Sequence, residues 1–240
     1  MGAVKTKRMP RAVREQQMLD AAVRTFGQRG YMAASMDEIA ELAGVSKPLV
    51  YLYLNSKEDL FTACIRREAD ALTEAVRTGV RRELPADRQL WDGLQAFFAH
   101  TAAHPDGWSV LHIQARTHGE RFASVVAAMR EELVAFVTQL IAVAAREALP
   151  HSRTCSRGGT PIDPDLAEGE VAGLAEALVG AAESLAAWAN ATPAVTAKQA
   201  ATTLMNFAWA GLGNLMEGRP WSPPRPTPSD PAAPRPGTLP

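Results

Sequence analysis

A chain of 240 residues, 47% of them apolar, has enough carbon surface to close a core of its own, which excludes intrinsic disorder as a description of the whole. Its 25 Lys and Arg nearly cancel its 26 Asp and Glu, leaving a formal charge of −1; a globally basic nucleic-acid binder is excluded, and any DNA contact has to come from a local cluster of cations. Two cysteines, Cys64 and Cys155, stand far apart and outside any CxxC or Cys/His spacing, which argues against a disulfide framework or a zinc site and fits a reducing cytoplasm.

A local cluster of cations does open the chain. Lys5, Lys7, Arg8, Arg11 and Arg14 precede the first acidic residue, Glu15, and polar Gln16 and Gln17 stand where a signal peptide would turn apolar. From there on, apolar residues recur with the 3.6-residue period of a helix and hardly anywhere with the two-residue alternation of a strand, so an all-α fold of about nine helices is expected. The first runs from about Arg11 to Arg29 with Met18, Ala22 and Phe26 on one face, and Gly30 stands where a left-handed C-terminal cap belongs. Ser35-Met36-Asp37-Glu38 has the form of a capping box, with the Ser35 hydroxyl accepting from the amide three residues on and Glu38 reaching back to the Ser35 amide. The short helix it starts places Ile39, Ala40 and Ala43 inward and ends at Gly44. Val45 anchors the turn, and Ser46 caps a third helix, to Tyr53, with Pro48 tolerated in its first turn.

Ser56-Lys57-Glu58-Asp59 opens a long fourth helix through Leu60, Phe61, Cys64 and Ile65 toward Arg82, with Pro85 as its stop. Further helices are expected at about Ala86 to Ala103, Pro105 to Thr117, Glu120 to Leu149, Asp165 to Ala191 and Ala197 to Glu217. Leu133 to Ala145, the most apolar stretch on this reading, is shorter than the ~20 residues that span a bilayer, so no membrane partner is expected. Pro150 to Pro164, with Gly158, Gly159 and Pro161, reads as a surface loop, and the Pro-rich segment from Gly218 onward as an extended tail.

Two short helices joined by a Gly-containing turn have the geometry of a DNA-reading helix-turn-helix, whose second helix enters the major groove. Residues 35 to 61, SMDEIAELAGVSKPLVYLYLNSKEDLF, closely resemble the N-terminal DNA-binding domain of the tetracycline-repressor (TetR) family, and Gly30-Tyr31 extends the match. Leu54 departs from the Phe that many relatives carry, and Leu49 with Leu52 makes the reading helix greasier than usual. The resemblance implies an arm and DNA-binding domain over 1–56, a helical ligand-binding and dimerisation domain over 57–217, and the tail over 218–240. It also implies a homodimer on a palindromic double-stranded operator, released by a small-molecule inducer, with no cofactor, metal or catalytic role; repressor and activator stay open, as does the alternative of an all-helical small-molecule-binding protein or enzyme without DNA binding.

At the matching positions, Lys47 is placed to donate to guanine, and Pro48 and Leu49 to touch a thymine methyl. Tyr51, Tyr53 and Lys57 are placed to hold phosphates, Ser35 and Ser46 to meet the backbone, and Arg8 and Arg11 to add phosphate or minor-groove contacts. Ser35 as a pure cap and Tyr51 as a packing residue remain open alternatives. In the ligand domain, Trp91, Phe97, Phe98, Trp108, His112, Arg116, Phe122 and Met129 are the candidates to line an inducer pocket, against the alternative that they are ordinary core. Four His residues between 100 and 118 show no metal-ligand spacing. Leu174, Leu178, Leu185 and Trp188 on the eighth helix, with Leu204, Ala208 and Leu212 on the ninth, form the apolar stripes of a four-helix dimer interface or, alternatively, of intrachain packing.

Overall fold

The computed structural model describes residues 10–152 and 164–216, with side chains described over residues 10–143, at 169, and over 171–209. Among the described residues there are nine helices and no strand. In chain order they are α1 (Arg11–Arg29), α2 (Met36–Leu42), α3 (Lys47–Leu54), α4 (Lys57–Gly79), α5 (Ala86–Ala103), α6, α7 (Glu120–Ser152), α8 (Pro164–Asn190) and α9 (Ala197–Met216). The sixth is one continuous rod of three pieces: Pro105–Ser109, a π-helical turn Val110–Gln114, and Ala115–Thr117. Sequence patterning anticipated every element but not the π turn, which does not disturb the periodicity of a rod this short. Arg8, Leu212 and the residues from 217 onward, the proposed tail among them, lie outside the described backbone or side chains, as does most of the expected loop, since α7 continues through Pro150 to Ser152.

Local chemistry explains most boundaries. Gly30 takes φ 80° and ψ 158°, so it ends α1 with a positive φ that only glycine adopts freely, but in an extended rather than the expected left-handed helical conformation; its amide still donates to the Phe26 carbonyl at 3.0 Å. Gly44, at φ 67°, turns the chain between α2 and α3. Ser56 Oγ accepts from the Asp59 amide at 3.0 Å, the cap expected for α4. The capping box at α2 forms only in part. Ser35 Oγ accepts from the Asp37 amide at 3.2 Å, two residues on rather than three, and Glu38 turns away to Arg29 at 3.1 Å, because a guanidinium at the end of α1 competes for it. Ser46 stands at the N-terminus of α3 but makes no side-chain cap. Helix α4 stops at Gly79, short of Arg82, and Pro85 caps the start of α5 instead.

A single core runs through the molecule. Met18, Ala22 and Phe26 of α1, Ile39 of α2, Val50 of α3 and Leu60, Phe61, Cys64 and Ile65 of α4 are all nearly or fully buried and join with Phe98, Val110, Phe122 and Leu133 farther along. Long α4 is therefore shared: its first half closes the small N-terminal bundle and its second half packs on α5 and α7. Burial pushes the Cys64 thiol up, so it stays protonated and behaves as a small apolar side chain.

Candidate nucleic-acid interface and its link to the ligand domain

Helix α3 is eight residues long, and its burial pattern splits it cleanly. Val50 and Leu54 are buried, Leu49 and Tyr53 are half-buried, and Ser46, Lys47, Pro48, Tyr51 and Leu52 face outward. The two hidden positions are four apart, which leaves the opposite face free over its whole length. Of the residues expected to meet DNA, then, Ser35, Ser46, Lys47, Pro48 and Tyr51 are exposed, and Arg11 is exposed on the first turn of α1. The Arg11 guanidinium stacks 4.9 Å from the centre of the Tyr53 ring, so the arm's described end is fastened to the reading helix.

The two key lysines have internal partners that sequence spacing did not reveal. Lys47 Nζ donates to Asp37 Oδ2 on α2 at 2.9 Å, and this hydrogen bond raises its pKa. Lys57 Nζ donates to the Met32 carbonyl at 3.3 Å and lies 4.9 Å from the centre of the Tyr31 ring. Both ammonium groups remain at the surface; the contacts hold long, flexible stems in place.

Behind this surface sits a dense junction. Tyr31, Phe26, Phe61 and Phe122 form a stack with centroid separations of 4.7 to 5.9 Å, so Phe122 belongs to the base of the DNA-binding domain and not to the Trp108 cluster it was grouped with. The Tyr31 hydroxyl donates to Glu58 at 3.1 Å, and burial first, then that carboxylate, pushes the phenol up to about 12. The Tyr31 amide donates to Gln114 Oε1 at 3.1 Å, which ties the π turn of α6 to the end of α1. Ser109 Oγ donates to the Gly27 carbonyl at 3.0 Å, Gln28 Nε2 to Asp106 at 3.1 Å, and Arg121 to Asp59 at 2.8 Å. Gly27 is required here: a Cβ on it would fall 2.7 Å from the Asp106 carbonyl oxygen, and one on Gly107 would collide with the buried Glu68 carboxylate. Backbone therefore rides directly on backbone where α1 crosses α6.

In the ligand domain, Phe97 and Phe98 of α5 and Trp108 and His112 of α6 do come together, with Phe97 edge-on to Trp108 at 5.7 Å and Trp108 stacked on His112 at 4.9 Å. Burial lowers the pKa of His112, and Arg116 lowers it further. The Trp108 indole nitrogen is buried with no hydrogen-bond acceptor among the described residues. Trp91 is half-buried on α5, Met129 is buried on α7, and exposed Arg116 lies 3.9 Å from Glu183 of α8. A groove of about 520 Å³ opens elsewhere, between the α4–α5 turn and α7, lined by Arg82, Leu84, Pro85, Gln89, Phe136 and Leu140; none of the eight candidates borders it. Among the described residues, no group of three or more His, Cys, Asp or Glu side chains is placed to hold a metal.

Of the expected dimer residues, Leu178 and Leu204 are buried within the chain, Leu174, Leu185 and Ala208 are half-buried, and Trp188 is 52% exposed. Phe207, absent from the sequence-based set, is 75% exposed on α9.

The comparisons agree with this layout. The family model described as bacterial regulatory proteins, tetR family, matches residues 18–64, and that of the tetracyclin repressor-like C-terminal domain matches residues 86–211. The chain is 30% identical over 208 residues to the HTH-type transcriptional activator FasR of Mycolicibacterium smegmatis, covering 87% of each protein. A TetR-like transcriptional regulator from Rhodococcus sp. RHA1 superposes with a TM-score of 0.69 at 35% identity, over 86% of this chain and 99% of that one. The fold alone is shared with the transcriptional regulator FadR of Bacillus subtilis in complex with stearoyl-CoA, at a TM-score of 0.60 and 17% identity over 80% of this chain and 96% of that one. With both halves matched and the helix-turn-helix in place, the chain belongs to the TetR family of DNA-binding transcriptional regulators.

Proposed function

We propose that the protein is a homodimeric repressor that reads an inverted-repeat operator with α3 and releases it when a small apolar or amphipathic molecule enters the ligand domain. The observation that carries this reading is the clear outward face of α3, backed by a buried core and flanked by Lys57, Arg11 and Ser35. Lys47, Pro48 and Leu49 are proposed to meet bases, and Ser35, Ser46, Tyr51, Tyr53, Lys57, Arg11 and Arg8 to meet the backbone.

Dimerisation is supported by α8. Val171–Asn190 is apolar enough, at a mean hydropathy of 1.3, to cross a membrane by length and composition, yet only 28% of that stretch is buried within the chain. It contains Glu176 and Glu183, both within salt-bridge reach of Arg130 on α7, and carries an exposed stripe of Gly173, Ala177, Ser184 and Trp188, which suits a second protein helix better than lipid. For the ligand, the orphan Trp108 N–H offers one donor inside an aromatic setting, suited to a carbonyl or carboxylate on an otherwise apolar molecule. The stearoyl-CoA held by the same fold in B. subtilis FadR makes a long acyl thioester the first probe to try. An activator is the second reading, favoured by the name of the M. smegmatis relative matched over 87% of its length.

Selection of bound duplexes from a random pool, followed by titration of stearoyl-CoA against the selected duplex, tests both halves. A coupling of about 1 to 3 kcal/mol would change operator affinity about 5- to 150-fold. Lys57→Ala and Tyr51→Ala are expected to weaken every duplex alike, whereas Lys47→Ala shifts preference among them. Equal affinity for selected and random duplexes overturns the reading, and reporter output with and without the gene separates repressor from activator.

A further inference from the structure

The reading helix turns a largely hydrocarbon surface outward. Pro48 and Leu52 are four residues apart and Tyr51 lies between their turns, so all three share one face, and Leu52 is 73% exposed. Few polar atoms share that face: the Ser46 hydroxyl, the Tyr51 hydroxyl, and the Lys47 ammonium, which already donates to Asp37. Leu49, the residue expected to join Pro48 in touching bases, is half-buried and so presents less of its side chain than Leu52 does.

In the major groove of B-DNA the base edges present donors and acceptors, and thymine alone presents an apolar group, its C5 methyl. An isobutyl side chain neither donates nor accepts. Pressed against the edges of G, C or A it strips water from polar atoms and returns nothing; against thymine it buries one methyl on another. Given the proposed entry of α3 into the major groove, on which this inference rests, we propose that Leu52, supported by Pro48, reads thymine methyl groups, and that base preference at this helix comes more from those methyls than from hydrogen bonds.

The test replaces thymine by uracil, which deletes the methyl and leaves base pairing intact. The full chain first selects duplexes from a random pool; the tightest is then resynthesised with one uracil at a time. At one thymine in each half-site the parent protein is expected to lose about fourfold in affinity per methyl removed, the transfer value of a single buried methyl group. Leu52→Ala is expected to bind the thymine duplex more weakly and to be indifferent to uracil at that same position. Because Leu52 is exposed, the variant should melt with the parent, and circular dichroism checks that it does. Insensitivity of the parent to uracil at every position, or an unchanged uracil penalty in Leu52→Ala, overturns the assignment of Leu52 while the operator reading stands. A pool that yields no enriched duplex defeats both.

Discussion

The two ends of this molecule treat apolar surface in opposite ways. At the junction of α1, α4, α6 and α7, four aromatic rings, two close approaches at glycines and a set of side-chain hydrogen bonds knit the helices together. On α8 and α9, Trp188 and Phe207 stand out in solvent and a long apolar helix is little covered by its own chain. The contrast separates where the chain closes on itself from where it stays open: the junction joins α6 to α1 through direct contacts, whereas the C-terminal pair, on the proposed dimeric reading, supplies half of an interface.

Four substitutions and a pH series break or sharpen that contrast. Phe61→Ala removes the ring at the centre of the closed region, whose neighbours lie 4.7 and 4.8 Å away on three sides; it is expected to lower the unfolding free energy by about 3 to 5 kcal/mol in urea melts. Trp188→Ala should leave the fold of one chain intact and weaken self-association by about 2 to 4 kcal/mol, read by sedimentation equilibrium. If Trp188→Ala instead unfolds the chain while Phe61→Ala is silent, the comparison is reversed. Gly27→Ala forces α1 off α6 and is expected to cost about 1 to 3 kcal/mol of stability and, more tellingly, to blunt any effect of ligand on operator affinity in the same titration. Tyr31→Phe deletes only the bond to Glu58 and should cost about 0.5 to 1.5 kcal/mol in thermal or urea unfolding.

Acidity probes the same regions more gently. His100, faced by His104 and Glu68, and His112, faced by Arg116 and Glu183, both have pKa values lowered by burial from the ordinary 6.5. Their neutral forms are favoured in the folded state, so their contribution to stability is complete above pH 6.5 and is lost as pH falls through the lowered values. A melting temperature that declines over that acid range, and declines less in His112→Asn, is the expected result. Asp92, held below the usual carboxylate range by a bidentate bond from Arg81, adds its own loss only at still lower pH.

Much of this was legible in the sequence where the signals are local. Ser56, Gly30 and Gly44 mark helix ends because caps and positive φ angles are decided within a few residues, whereas the division of α3 into faces was read only in part, since Leu49 and Tyr53, both expected to meet DNA, are half-buried. Distant competition was not legible. Glu38 forsakes Ser35 for Arg29, Lys47 pairs with Asp37, and Phe122 joins Tyr31 and Phe61 instead of Trp108, each because a partner from another helix offers a charge or a ring that no spacing rule contains. Leu52 was visible as a greasy residue in a reading helix; only its exposure, set beside the half-burial of Leu49, turns it into a candidate reader.

The central claim is that two copies of α3, held by one dimer, enter successive turns of the same face of DNA. Inserting five base pairs, half a turn, between the half-sites of a selected duplex and measuring affinity by fluorescence anisotropy tests it directly, since the two reading helices should lie about 34 to 36 Å apart. Affinity for the lengthened duplex is predicted to fall to that of a single half-site and to return in part when a full turn is inserted; binding indifferent to the insertion would contradict the account.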